Sequence, residues 1–414
     1  MRFLVIFLIA NAAIVAAQTA RQLQLDRDAS SLLEQDFVAF NPNYKEEREA
    51  RATRTKALAK EMFAQEAKGG KTACGHQILF ELESLLVSSA DFKLMDSRLH
   101  DLEASIGHPS ADNPNGDGMW GSCYQEWYLK LYATYDRLEA NAPDEPAPHP
   151  LPAFLERVST PEKLTSYLDA LSISDVHHTG IDHEREFNET LATLLQMIVR
   201  HKPENYTVDP ALRDSLLDRI LHRYRNPHTG YSGERYRRDG SEDFPDDLSM
   251  TFHVVSYLKG KVPDMPRLLD TTLAIKDFSY PAGWLWKGEF WNHNNMDVVA
   301  LFHYGWSEAS PAQKKAMAAE MERMLTWCLH ESLQPDGSFK VNIADGSLED
   351  AEYYGTSFLA RIGFFDPSQR FWTDRDFPEA ADVKKKISAF VRAHQGSGPT
   401  GDNYRSTLEA LGIR

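Results

Sequence analysis

Polar residues collect in short segments that precede apolar stretches of the chain, and these residues could do chemistry. The densest segment reads Trp-Asn-His-Asn-Asn-Met-Asp over residues 291–297. Helix capping accounts for isolated Asp and Asn residues. Asn and His are poor interior helix residues, so this run indicates a binding or catalytic site. The candidates for catalysis, all of which can exchange protons or carry charge, are Asp247, Asp297, Glu352, His253, His293 and Tyr354.

Aromatic side chains accompany these candidates in one loop, where four of them fall between residues 284 and 291. Flat aromatic faces stack on sugar rings and bury a large area. We expect Trp284 to wedge between helices, and Trp286 and Trp291 to form an exposed platform. The candidate ligand-binding residues are Trp286, Trp291, Asn294, Asn295 and Arg237.

A second polar cluster, at residues 177–183, offers three His and one Asp as metal ligands. Its spacing matches none of the defined metal motifs, such as two histidines four residues apart with a Glu between them. The sequence also lacks a Gly-rich phosphate loop and a Gly-x-Ser-x-Gly segment. We therefore predict neither a metal nor a cofactor.

A recurrent turn positions these polar segments. Pro and Gly followed by an aromatic residue stand at residues 226–233, 280–284 and 334–339, with a related segment at 113–121. The aromatic residues of the first three turns are about 54 residues apart, which fits a pair of helices with loops. Segments apolar on most faces follow the turns and predict buried helices. These segments are 78–87, 128–135, 191–199, 248–258, 298–306 and 353–362.

Six buried helices that alternate with amphipathic ones predict an all-α protein, an (α/α)6 toroid, over residues 70–395. A helical extension at 18–69 precedes it, and a loosely packed tail at 396–414 follows. An open solenoid needs the same repeats, but it also needs polar capping repeats, which are not evident. In a toroid the inner helices point the same way, so the polar segments meet at one mouth of a central cavity.

The segment Ser-Leu-Gln-Pro-Asp-Gly-Ser-Phe at 332–339 is similar to the turn repeats of the squalene-cyclase branch of the toroid superfamily. This superfamily includes terpenoid cyclases, protein prenyltransferases, polysaccharide lyases and glycoside hydrolases. The resemblance implies the fold but not the reaction. The acidic stretch at 242–247 does not match the spacing of the cyclase motif Asp-x-Asp-Asp.

The N-terminus predicts export. Arg2 precedes an apolar run over residues 3–17, and the small residues Val15 and Ala17 fit a signal peptide cleaved after residue 17. A membrane anchor is the alternative, but the run is shorter than the roughly 20 residues of a spanning helix. We expect a soluble protein that is secreted, or periplasmic if the host is bacterial.

Charge and cysteine content restrict the partners and covalent links. A net charge of −16 disfavours nucleic acid and anionic membranes as partners. Cys74 and Cys123 are the pair that a disulfide would join, with Cys328 a buried thiol. Asn188 and Asn205 begin glycosylation sequons. The sequence leaves the oligomeric state open.

The favoured function is a secreted carbohydrate-active enzyme acting in the central cavity. A glycoside hydrolase needs two carboxyl groups, one of them protonated, and Asp247, Asp297 and Glu352 could supply them. A polysaccharide lyase needs a base and groups that neutralise a uronate. The residues that fit a lyase are His253, His293, Asn295 and Tyr354, with Arg235, Arg237 and Arg238 nearby.

The abundance of carboxylates favours the hydrolase slightly. Two other functions remain: a non-catalytic exported toroid that binds a ligand or protein, and a terpenoid-cyclase-like enzyme.

Overall fold

The computed structural model describes residues 45–68, 75–88, 91–106, 127–128, 131, 153–200, 209–238, 240–341, 348–394 and 402–413. Several sequence predictions lie outside these residues. They are the signal peptide at 1–17, the Cys74–Cys123 pair, the sequon at Asn205 and the turn at 113–121. Most of the described residues are helical. None of the helices they form is long and apolar enough to cross a membrane.

Three helices form an N-terminal unit with its own apolar core. They are α1 (Lys45–Ala67), α2 (Gly75–Ser88) and α3 (Phe92–Ser105). Asp91 caps α3, where its carboxylate accepts a hydrogen bond from the Leu94 amide at 3.0 Å. Helix α2 also contacts α6, described next, and so joins this unit to the rest of the chain.

Five helices lie side by side in chain order, each packed on the next, and we call them the buried row. They are α6 (Glu184–Leu195), α8 (Leu248–Tyr257), α10 (Asn292–Gly305), α12 (Leu348–Arg361) and α14 (Asp402–Ala410).

The helices between them in sequence form a flanking row. They are α4 (Pro161–Leu171), α7 (Pro210–Asp218), α9 (Met265–Ala274), α11 (Pro311–Trp327) and α13 (Ala380–His394); the short α5 (Val176–Thr179) precedes α6. Within this row α4 packs on α7, and α9 packs on α11. The chain is therefore mostly helical, as its alternating apolar and amphipathic segments predict.

Three helices of the buried row, α6, α10 and α12, begin earlier than their apolar segments, whereas α8 begins with its segment at Leu248. The apolar run at 298–306 predicts only part of α10, which begins at Asn292. Likewise α6 begins at Glu184, ahead of the apolar run at 191–199. The polar candidates on α10 and α12 therefore lie within the first two turns of these helices.

The C-terminal segment differs from the loosely packed tail that we expected. Helix α14 packs on α12, and its Tyr404 and Thr407 are buried. The helix is short and polar overall, so its narrow apolar face is a weak signal in the sequence. Contacts with α12, rather than helix propensity, hold it in place.

The three described turns share one kind of backbone hydrogen bond. In each turn, the backbone N–H of the residue before Pro donates across the turn to a carbonyl oxygen 2.7–2.9 Å away. The donor and acceptor residues are Asn226 and Tyr231, Tyr280 and Leu285, and Gln334 and Ser338. The aromatic residues of the turns are buried against the helices, at Tyr231, Trp284 and Phe339.

Gly337 is a position where this turn requires glycine. Its φ is +95°, and a Cβ there would stand 2.4 Å from the Lys386 carbonyl oxygen of α13. We expect Gly337→Ala to lower the free energy of unfolding by about 3 kcal/mol or more, because left-handed strain and a backbone clash add. Gly288 has a φ of +84° with nothing within 4 Å of its Cβ position. Gly288→Ala should cost only about 1–2 kcal/mol. Equal losses in the two variants, measured by denaturant unfolding, would contradict the clash.

A small sheet precedes α8. Strand β2 (Arg235–Arg238) pairs in parallel with β1 (Ile173–Ser174) and in antiparallel with β3 (Ser241–Asp243). Because side chains alternate along a strand, Tyr236 takes the face opposite to that of its neighbours on β2. The sheet thereby brings Tyr236 to the start of α6.

Candidate active site

Four carboxyl groups gather at the starts of α6 and α8, and we call them the acidic cluster: Asp182, Glu184, Glu234 and Asp247. Asp182 and Glu184 lie at the start of α6, Asp247 is the N-cap of α8, and Glu234 directly precedes β2. The carboxyl groups are close enough to repel one another, and each of the four pKa values is raised, with burial as the main cause.

Asp247 lies at the centre of the cluster and is 7% exposed. One carboxylate oxygen accepts a hydrogen bond from the Met250 amide, and the other accepts one from Asn188 Nδ2, each at 2.8 Å. These donors favour the ionised form, whereas burial disfavours it. Burial prevails and raises the pKa of Asp247 to about 6.

Glu184 is the partly exposed carboxyl group next to Asp247. Burial, followed by the charges of Asp247 and Asp182, raises the pKa of Glu184 to about 8. The Tyr236 hydroxyl lies 3.2 Å from Asp182 Oδ1 and 3.4 Å from Glu184 Oε2. At neutral pH Glu184 therefore holds a proton while Asp247 is largely ionised.

Glu234 is the most deeply buried member of the cluster, at 3% exposed. Burial, followed by the charge of Asp182, raises its pKa to about 10. Below the ordinary pKa of Glu, both the folded and the unfolded chain hold the proton. As pH rises above that value the unfolded chain ionises, so stability is lost up to the folded pKa.

Glu234→Gln tests whether Glu234 lowers stability as the pH rises. We expect the variant to melt several degrees above the wild type at pH 8 and at the same temperature near pH 4, because each pH unit of the shift costs about 1.4 kcal/mol. The exposed Glu379 provides the control, and Glu379→Gln should follow the wild type at both values. A wild-type advantage at pH 8 would contradict the assignment.

A second polar group lies on α10. Asp297 is 1% exposed, and neither of its carboxylate oxygens has a hydrogen-bond partner among the described residues. Burial raises its pKa well above the ordinary value; Arg361 opposes that shift and Asp247 adds to it. His293 Nδ1 lies 3.8 Å from Asp297 Oδ2 and 3.0 Å from Asn294 Oδ1. Burial lowers the pKa of His293 to about 4, so the imidazole is neutral at pH 7.

Three aromatic residues surround His293, and we call Tyr280, Trp291 and Tyr354 the aromatic wall. Trp291 stacks on the imidazole with ring centroids 4.6 Å apart, and Tyr354 meets it edge-on at 4.6 Å. Tyr280 meets it edge-on at 5.9 Å. Its pKa is raised mainly by burial, and also by the charges of Asp247, Asp297 and Glu184. Tyr280 is therefore near both the acidic cluster and Asp297.

The prediction of an exposed tryptophan platform is wrong. Trp286 and Trp291 are 8% and 5% exposed, and their rings pack 5.3 Å apart. A tight turn at Lys287 and Gly288, both with positive φ, folds the loop back on itself. Trp284 is buried against Phe302, as a wedge between helices would be.

Several other candidates have structural partners. Glu352 is buried, and its Oε1 accepts a hydrogen bond from the Phe339 amide at 2.7 Å, so it holds a recurrent turn. The Asn294 side chain donates to the Trp284 carbonyl oxygen at 2.8 Å. His253 lies farther along α8, with Nδ1 2.9 Å from the Tyr257 hydroxyl.

Arg237 is exposed and forms an ion pair with Glu242 at 3.2 Å. Asn295 is buried, and neither atom of its side-chain amide has a partner among the described residues. Asn188 lies within α6, and its Nδ2 is bound to Asp247. Glycosylation at Asn188 stays a prediction.

Sequence reasoning left five residues of the site out of the candidate list: Asp182, Glu184, Glu234, Tyr236 and Tyr280. The sequence contained a signal for three of them. Asp182 and Glu184 belong to the polar segment before the apolar run of α6, and Glu234 follows the turn at 226–233. No sequence signal marked Tyr236 or Tyr280, because their positions depend on the sheet and on the fold of a loop.

Two surface cavities of about 390 and 380 Å³ share Phe290, Arg323, Trp327 and Glu331, and no residue of the acidic cluster or the aromatic wall lines either of them. Charged side chains there neutralise one another, as Glu320 pairs with Lys276 and Arg323. We take the acidic cluster as the candidate functional site, because Arg48 and Arg185 act on its carboxyl groups only at longer range. Within the described part of the chain, no group of three or more His, Cys, Asp or Glu residues is placed to hold a metal ion.

The chain matches no protein-family model, no curated protein and no solved structure at a significant level. Function is therefore inferred from the geometry and charge of the site.

Proposed function

We propose that this protein is an exported glycoside hydrolase of the toroid type, with its active site at the acidic cluster. The observation that carries the proposal is a pair of neighbouring carboxyl groups, Asp247 and Glu184, with pKa values raised to about 6 and about 8. Hydrolysis of a glycosidic bond needs one carboxylic acid and one carboxylate at neutral pH. Environments that separate two pKa values assign those roles.

Glu184 is the proposed general acid. It is partly exposed, so a substrate oxygen can reach it, and it is protonated at neutral pH. As the bond between the anomeric carbon and the leaving oxygen breaks, the Glu184 proton passes to that oxygen. Ionised Asp247 lies close enough to stabilise the protonated acid before the reaction.

Asp247 is the proposed carboxylate partner. The Met250 amide and the Asn188 side chain hold both of its oxygens in a fixed orientation. In that orientation it either removes a proton from the attacking water or bonds directly to the anomeric carbon. Both routes add the elements of water across the broken bond.

The charge of the site favours a hydrolase over a lyase. A lyase acts beside a uronate carboxylate, which needs cationic neighbours, and the acidic cluster would repel it. Arg237, an expected uronate partner, pairs instead with Glu242. The charge of Arg361 acts to lower the pKa of Asp297, so this arginine already has a carboxyl group of the chain as its neighbour.

The toroid remains part of the proposal. A closed ring of parallel inner helices would bring the starts of α6, α8 and α10 to one end of a cavity, which agrees with where the acidic residues lie. The signal-like segment at 1–17 supports export, and polysaccharides are substrates met outside the cell.

A polysaccharide panel tests the proposal. The mature protein is incubated with neutral, amino and uronate polysaccharides, and released reducing ends and unsaturated uronates are measured. We expect reducing ends without unsaturated products. The Asp247→Asn/Glu184→Gln double variant, purified in the same way, is the blank for contaminating enzymes. Equal release by the wild type and the double variant would refute a hydrolase at this site.

A further inference from the structure

The candidate site contains five carboxyl groups, namely the acidic cluster and Asp297. Among the described residues, none of the five forms an ion pair with a Lys or Arg. Three arginines act on them only at longer range: Arg48 on Asp182, Arg185 on Glu184 and Arg361 on Asp297. Buried carboxylates ordinarily have a cationic or hydrogen-bonding partner.

Asp297 is the most exceptional of the five. It is 1% exposed, and both oxygens lack a hydrogen-bond donor in the part of the chain that the structure describes. His293 Nδ1 lies 3.8 Å away, and it lies 3.0 Å from Asn294 Oδ1. A buried acceptor without a donor is costly, so this position indicates a donor that the described residues do not supply.

We infer that the site binds a cationic sugar, an oligosaccharide of amino sugars such as glucosamine, whose ammonium group donates to Asp297 and to the acidic cluster. The inference rests on the proposed function, since it names the substrate class of the same site. An ammonium group carries three hydrogen-bond donors and one positive charge. It would supply the donor that Asp297 lacks and a cation beside the carboxyl groups.

A saccharide ammonium fits better than a metal ion. A metal needs several ligands that converge on one point, and the described carboxyl groups do not provide such a group. The Asp247 charge acts on both Glu234 and Asp297, so amines on successive sugar rings can contact these carboxyl groups one at a time.

The aromatic wall supports the same ligand. Tyr280, Trp291 and Tyr354 enclose His293 beside Asp297. Aromatic faces attract cations by their quadrupole and stack on sugar rings. A neutral His293 adds no positive charge that would oppose the ligand. An N-acetyl sugar lacks the positive charge of the amino sugar, and a uronate carries a negative charge instead.

The test compares three tetrasaccharides that differ in charge: those of glucosamine, N-acetylglucosamine and galacturonate. Sulfur-bridged forms resist hydrolysis, so calorimetry measures binding alone. We expect the wild-type protein to bind the glucosamine form at least tenfold more tightly than the N-acetyl form, a difference of about 1.4 kcal/mol, and not to bind the galacturonate form. Asp297→Asn should reduce this preference several-fold. The exposed Glu289 supplies the control, and Glu289→Gln should keep the preference.

The wild-type protein keeps the inference testable if Asp297→Asn fails to fold. Its preference for the glucosamine form should then decrease as salt is added, because charges across the site are screened. Equal affinity for the glucosamine and N-acetyl forms overturns the inference. So does a preference that survives in a folded Asp297→Asn protein.

The two proposals fail separately. Cleavage of neutral polysaccharides without tighter binding of the amine overturns the substrate class and leaves the hydrolase standing. Tight, Asp297-dependent binding of the amine without cleavage of any polysaccharide overturns the hydrolase and supports the cation site.

Discussion

Asp247→Asn is expected to lower kcat for polysaccharide hydrolysis by about 10³-fold or more while the protein stays folded. An amide can neither remove a proton from water nor bond to the anomeric carbon, so the chemical step loses its carboxylate. Asn is as good an N-cap as Asp, so the bond from the Met250 amide persists. The amide nitrogen that replaces Oδ2 cannot accept from Asn188 Nδ2, so that bond is lost, at a cost of about 1 kcal/mol or more.

Asp209 offers a matched control for this change. It is the exposed N-cap of α7, and its carboxylate accepts a hydrogen bond from the Ala211 amide at 2.8 Å. Asp209→Asn should leave both the activity and the melting temperature unchanged. If Asp247→Asn retains full kcat and melts like the wild type, Asp247 is only a helix cap.

Glu184→Gln is expected to lower kcat/KM by about 10²–10⁴-fold on polysaccharides, the usual contribution of a general acid. The loss should be much smaller on substrates with acidic leaving groups, such as nitrophenyl glycosides, because these leave without a proton. The wild-type profile of kcat/KM should fall below about pH 6, where Asp247 becomes protonated, and above about pH 8, where Glu184 ionises. In Glu184→Gln the alkaline fall should disappear.

Glu186 provides the control on the same helix. The Tyr167 hydroxyl donates a hydrogen bond to its carboxylate, at a different face of α6. Glu186→Gln should keep the bell-shaped profile. An unchanged alkaline limb in Glu184→Gln would remove Glu184 from the role of acid, whatever its effect on rate. Because Glu184 and Asp247 interact, the two pH values at which kcat/KM falls describe the titration of the pair and not of either residue alone.

The sequence predicts the helices well where burial is strong. Apolar residues on most faces mark α8, α10 and α12, because these helices have neighbours on several sides. Helix α14 is missed because its apolar face is narrow and its contacts with α12 depend on the whole fold. The tryptophans of the 284–291 loop are misjudged for a related reason: a turn at Lys287 and Gly288 decides which of them meet solvent.

The site is predictable only in part. His293 and Asp297 stand out in sequence, since capping does not explain their run, and the structure places Trp291 at the N-cap with Asp297 in the second turn. Asp247 turns out to be both a cap and a member of the cluster, so the two roles that sequence reasoning set against each other coexist. Tyr236 joins the site through strand pairing with β1, a contact between segments about 60 residues apart that no local pattern encodes.

Isotope labelling of the product tests the central claim most directly. The mature protein cleaves a susceptible polysaccharide in water enriched in oxygen-18, and mass spectrometry locates the label. Hydrolysis at the acidic cluster predicts one oxygen-18 atom in each new reducing end with the wild type, and almost no product with Asp247→Asn. An unlabelled product with an unsaturated uronate at its end, or the same labelled yield from Asp247→Asn, would contradict it.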